Sequence, residues 1–87
     1  MSLPVSQSMN ATNITSTTTI RTGTGGLFGI FVSSASGSPT LKIADGSTTL
    51  VNTFTPVAAT FYQLPARFGT SLVITVGATL DCCVFWT

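Results

Sequence analysis

The chain has 87 residues, a formal charge of +1 and five charged side chains, Arg21, Lys42, Asp45, Arg67 and Asp81, with no His and no Glu. A soluble domain ordinarily carries about a quarter of its residues as Asp, Glu, Lys and Arg, against 6% here. That leaves little to serve as a positioned acid, base or metal ligand, which argues against an enzyme, and so uncharged a surface suits a subunit of an assembly better than a freely diffusing monomer.

The hydrophobic fraction of 44% is ordinary for a folded chain, and the polar remainder is mostly Thr and Ser. Thr is β-branched and favours strands, so composition alone predicts an all-β protein, a single small domain over residues 11–87. Residues 1–10 mix Ser, Pro, Gln and Asn with isolated apolar side chains. They read as an extended N-terminal arm, with Leu3, Val5 and Met9 placed to dock on a neighbour.

From Asn13 the pattern turns β-like, and Ile14 and Ile20, six residues apart, share one face of a partly buried strand. Gly23 to Gly26 is predicted to turn. Leu27 to Ser33 is a continuous apolar run, expected to be a central strand buried on both faces, with Leu27, Gly29 and Phe31 on one and Phe28, Ile30 and Val32 on the other. The second of those faces, or the first, is free to meet another subunit. Ser34 to Pro39 reads as a loop. Thr40 to Ala44 is a short strand with Leu41 and Ile43 inward and Lys42 outward, and Asp45-Gly46 is a strong hairpin signal.

The return strand spans Ser47 to Thr55, with Leu50 and Phe54 on one face and Val51 and Thr53 on the other, and Pro56 ends it. Thr60 to Leu64 is the next strand, closed by Pro65, and Arg67-Phe68-Gly69 forms a corner. Ser71 to Val76 alternates cleanly. Gly77 to Thr79 is predicted to turn into a last strand in which Leu80, Cys82, Val84 and Trp86 face one way and Asp81, Cys83 and Phe85 the other. Seven or eight short strands at this spacing predict an antiparallel β-sandwich or jelly-roll-like barrel.

The familiar chemical constellations are missing. Without His there is no Ser-His-Asp or Cys-His arrangement. A two-carboxylate hydrolase would need Asp45 and Asp81 to converge, and Asp45 is better explained by its hairpin. Gly23 to Gly26 precedes a strand rather than a helix, so it is a turn and not a phosphate loop. Asn10-Ala11-Thr12 and Asn13-Ile14-Thr15 match the glycosylation sequon, but the N-terminus has neither the basic nor the apolar region of a secretory signal. No segment has the ~18–20 apolar residues of a membrane span, and no basic cluster points to nucleic acid or an anionic membrane. Cys82 and Cys83 are adjacent, so in a strand they face opposite ways and a disulfide between them is disfavoured. No cofactor or metal is expected. Arg67 reads as a solvated corner or a contact with a partner carboxylate, and Trp86 with Phe85 as a core plug or an interface anchor. Few charges guard the strand edges, so the isolated chain is expected to self-associate.

Thr18 to Thr22, followed by Gly23-Thr24-Gly25-Gly26-Leu27-Phe28-Gly29-Ile30-Phe31-Val32, resembles a pattern common in short phage virion proteins, where a Thr-rich strand runs into Gly-x-Gly-x-Leu-x-x-Ile-x-Val. The small-residue loop, Thr40 to Gly46, Phe68-Gly69 with Leu72 to Ile74, and the apolar last strand continue the likeness over most of the chain after residue 12. Ala44, where an aromatic is common, and the Cys82-Cys83 pair depart from it. The resemblance implies a capsid decoration (cement) protein of a tailed bacteriophage. Such a protein is a small β-sandwich, often a homotrimer, assembled in the host cytoplasm and seated on the capsid exterior, where it binds the major capsid protein. Another virion module (head fibre, neck or tail) and a carbohydrate-binding β-sandwich using Tyr62, Gln63 and Trp86 are the alternatives. The interface candidates are Leu3, Val5, Met9, Phe28, Phe31, Arg67, Phe85 and Trp86.

Overall fold

The computed structural model describes residues 10–87, which form one antiparallel sheet of six strands: β1 (Asn10–Ile14), β2 (Thr18–Thr22), β3 (Gly25–Asp45), β4 (Thr48–Phe54), β5 (Thr60–Phe68) and β6 (Ser71–Trp86). Two of them organise the rest. β3 and β6 pair from Leu27↔Trp86 to Asp45↔Leu72. A straight strand of 21 residues would reach about 70 Å at ~3.3 Å per residue, yet the longest dimension of the molecule is 44 Å. The pair therefore bends.

The bend lies where Ser36↔Thr79 gives way to Thr40↔Gly77. Gly37, Ser38 and Ala78 there hold left-handed φ values of 72°, 57° and 65°. Gly77 is required by contact: a Cβ on it would collide with Thr40 Oγ1. The sequence suggested a loop at Ser34 to Pro39 and a turn at Gly77 to Thr79. Both are instead kinked strand, because the ladder resumes on the far side, and this merging reduces the expected seven or eight strands to six.

The bend divides the sheet into two halves. In one, β1, residues 79–86 of β6, residues 27–36 of β3 and β5 lie side by side; in the other, β2, residues 71–76 of β6, residues 40–45 of β3 and β4 do. The first half supplies Ile30, Val32, Leu80, Cys82 and Val84 to a single buried cluster, and the second supplies Leu41, Ile43, Leu72 and Ile74. Phe54 of β4 meets Tyr62 of β5 edge-on, ring centroids 5.3 Å apart, so aromatic contact also links strands of different halves.

Several sequence expectations change for the same geometric reason. The Thr-rich stretch after Asn13 is two strands, since β1 pairs with β6 beyond the bend and β2 before it. Thr17 spans the gap, its hydroxyl accepting the Val76 N–H at 3.0 Å. β1 starts at Asn10, one residue inside the expected arm, and the rest of the arm lies outside the described residues. β5 runs on through Pro65 to Phe68. It is an edge strand whose register shifts nearby, and edges and bulges tolerate the missing proline N–H. On β4, three residues stand against two of β3 between Leu41↔Phe54 and Ile43↔Val51, so Val51 joins Leu50 and Phe54 against the core instead of facing away.

Asp45 closes the β3–β4 hairpin and does more. Its carboxylate accepts the Gly69 N–H at 2.9 Å on Oδ2, and the Thr70 and Ser71 N–H groups at 2.8 and 3.2 Å on Oδ1. Those hydrogen bonds from Gly69, Thr70 and Ser71 favour the ionised form and lower its pKa below the usual 3.8. The stabilisation is complete above pH 3.8 and is lost as the pH falls through the lower native value. Asp45→Asn is therefore expected to lower the melting midpoint at pH 7 and to flatten its fall below pH 4, as thermal scans from pH 2 to 7 would show. At the bend, Ala78→Gly relieves a left-handed conformation that costs a Cβ-bearing residue about 1–2 kcal/mol. Part of that is offset by glycine's extra chain entropy, so the midpoint is expected to rise by a few degrees.

Candidate functional site

The two halves differ on their outer faces. In the half built around β2 and β4, registers Thr19↔Val73 and Lys42↔Thr75 place hydroxyls, a valine and one lysine outward. In the other half the outer face is aromatic. β3 was expected to bury both faces, but only one is covered: Leu27, Ile30 and Val32 are buried, whereas Phe28 is 39% and Phe31 38% exposed. A register shift between Leu27 and Gly29 turns Leu27 inward with Ile30 and Val32 and leaves Phe28 outside with Phe31, which corrects the expected division of faces.

Phe61, 42% exposed, reaches this surface from β5, and Phe85 from β6. Phe61 lies 5.8 Å from Phe28 and 6.1 Å from Phe85, centroid to centroid. β5 and β6 flank β3, so two side chains separated by a whole strand meet. Gly29 makes this possible. A Cβ there would stand 2.5 Å from Phe61 Cζ and 2.6 Å from the Tyr62 carbonyl oxygen, so the bare backbone lets the Phe61 ring lean across β3. Rings in tilted and edge-on contact at this spacing form a preorganised apolar surface.

Of the interface candidates, Phe28, Phe31 and Phe85 are thus brought together. Arg67 is exposed at the end of β5, beside a shallow cavity of about 510 Å³ lined also by Gly25, Gly26, Pro65 and Thr87. Trp86 turns toward the core: it packs against the buried cluster, and its Nε1–H donates to Thr12 Oγ1 at 3.0 Å. Leu3, Val5 and Met9 lie outside the described residues. Phe61 was missed, although the alternation of Phe61, Tyr62 and Gln63 along one strand put it on the face away from Tyr62.

The chemistry available is sparse. Asp45 is occupied by three backbone N–H groups and sits in the half away from Asp81, whose carboxylate accepts Asn13 Nδ2–H at 2.9 Å. The two carboxylates do not converge. Among the described residues no group of three or more His, Cys, Asp or Glu is placed to hold a metal ion. Cys82 is buried and Cys83 half-buried on the aromatic side, and neither forms a disulfide. Burial, and secondarily Asp81 and Cys83, push the Cys82 thiol up to about 11, and burial raises Cys83 as well. Both are protonated near neutrality and poor nucleophiles. No protein family, no curated protein and no solved structure matches the chain. What the face offers among the described residues is exposed aromatic area, with no cluster of reactive groups beside it.

Thiol labelling checks this arrangement. Cys83 is expected to react slowly at pH 7 and faster as the pH is raised, while Cys82 reacts only once denaturant opens the core. Two equally fast thiols in the native protein would contradict the burial.

Proposed function

We propose that this chain is a structural virion protein, a capsid decoration or cement protein that binds the outer surface of a phage head and strengthens contacts between major capsid subunits. The observation that carries this reading is the pairing of an almost uncharged all-β domain with one preorganised aromatic outer face. Adhesion to a lattice needs buried area and complementarity, and aromatic side chains supply most of the energy at such contacts. The two halves of the bent sheet, inner faces turned to one core, are read as the layers of a jelly-roll-like sandwich. The resemblance of residues 18–32 and 40–46 to short phage virion proteins points the same way, and residues 1–9, the expected arm without the Asn10 that β1 takes up, are proposed to reach across a subunit boundary.

The test is to mix the purified protein with capsid shells lacking it, pellet the particles and count copies. Hundreds of copies per particle, with fewer retained after removal of residues 1–9, are expected. A few dozen or fewer would place the chain in a neck or fibre, and none would remove the capsid reading.

A further inference from the structure

We infer that the aromatic outer face is a self-complementary surface that pairs with the same face of a second copy of this chain. The argument is independent of the capsid reading and would survive its failure.

Three phenylalanines with about two-fifths of their surface exposed present roughly 250 Å² of aromatic surface, just below the ~300–600 Å² of the largest apolar patch on a typical monomer. Alone that is too little for a stable pairing, which needs about 800 Å² per partner. The rest of the outer face of this half adds to it. Three strands eight to ten residues long and the five-residue β1, about 4.8 Å apart, give a footprint of roughly 20 by 30 Å, about 600 Å² in projection and most of what such a pairing needs. Around the rings lie the exposed polar residues Asn13, Ser33 and Gln63, of the kind that rim an interface core.

Charge placement selects the occupant. Two charged residues, Asp81 and Arg67, border this face, since Asp81 alternates outward with Cys83 and Phe85 on β6, and Arg67 outward with Phe61 on β5. Arg67 stands opposite Gly26 and Asp81 opposite Ser34 on β3. They therefore sit about 25 Å apart along the strands, on either side of β3, at diagonal corners with the aromatics between. A two-fold axis lying in the face, across that diagonal, sets each Arg67 over the other copy's Asp81 and each aromatic group over its counterpart. Isologous closure of this kind uses one surface twice and ends with two copies, whereas a trimer closes head-to-tail through two different surfaces. Pairing through the β5 edge is hindered by Pro65, which lacks the donor a new strand would need.

The test is light-scattering mass across a concentration series, for the full chain and for variants. The chain is expected at twice its 9.0 kDa. Arg67→Glu, at an exposed position, puts like charges opposite each other twice per pair and is expected to weaken pairing at least about tenfold, and Asp81→Arg likewise. Combining the two restores opposite charges and should recover affinity to within a few-fold. Phe31→Ser with Phe61→Ser should give a monomer, with circular dichroism confirming that it is folded. Should Asp81→Arg fail to fold, Arg67→Glu and the phenylalanine variant decide alone. A monomeric or trimeric chain overturns the proposal, as does a dimer indifferent to Arg67→Glu and to loss of the two phenylalanines.

Discussion

The fold depends on one constraint: two long paired strands must bend together without losing their ladder. β3 and β6 share hydrogen bonds on both sides of the break at Ser36–Thr40, so a kink in one demands a matching kink in the other. The chain meets this with left-handed residues on each strand, Gly37 and Ser38 facing Ala78, and with a glycine where Thr40 Oγ1 presses against the partner backbone. Everything else hangs on that corner. β1 and β2 are separate because they follow β6 around it, and β4 and β5 lie on different halves because each pairs with a different arm of β3. Folding the sheet this way brings Ile30 and Val32 into the same cluster as Leu41 and Ile43, although a kinked segment separates them in sequence.

A second, smaller irregularity decides the surface. The register shift at Leu27/Gly29 rotates one residue step, so that an apolar run which could have been buried on both sides is divided into an aliphatic inner face and an aromatic outer one. Strict alternation would have placed Phe28 with Ile30 and Val32 in the core and Leu27 outside with Phe31. The exchange puts the compact, branched side chains inside, where they pack densely, and the rings outside. Gly29 then lets Phe61 cross the strand. The aromatic surface is a product of a bulge and a missing Cβ, two features that cost strand stability unless something is gained from them.

Much of this was legible before the structure. The alternation of β6 was read correctly on either side of its kink, including Cys82 inward and Cys83 outward, because regular strands obey a period of two, although the kink itself at Gly77 to Thr79 was read as a turn. The Asp45-Gly46 hairpin was legible because glycine there accepts a φ of 59°. What failed was continuity: Ser, Gly and Pro from Ser34 to Pro39 have the composition of a loop, and nothing local says that the ladder continues past them. Face assignments failed wherever the register shifts, at Phe28 and at Val51, since a one-residue slip inverts the pattern and a bulge leaves no reliable mark in a Thr-rich, aliphatic sequence. Asp45 was seen as a turn residue, but its grip on Gly69, Thr70 and Ser71 joins segments 24 to 26 residues away.

The scarcity of charge takes on meaning from this arrangement. Asp45 is spent on the Gly69, Thr70 and Ser71 backbone, Arg21 donates its Nε–H to the Thr24 carbonyl at 2.9 Å, and Asp81 is steadied by Asn13. Lys42 stands on the hydroxyl-rich outer face and Arg67 at the rim of the aromatic one. No charge is set among the rings, where desolvating it would oppose association. The outer face of the other half carries exposed threonines, Thr19 and Thr75, in place of rings. A domain with one hydroxyl-rich outer face and one aromatic outer face has a direction built into it, and in the pairing we infer the aromatic face is covered by matching shape and apolar area, with the peripheral charges setting orientation more than strength.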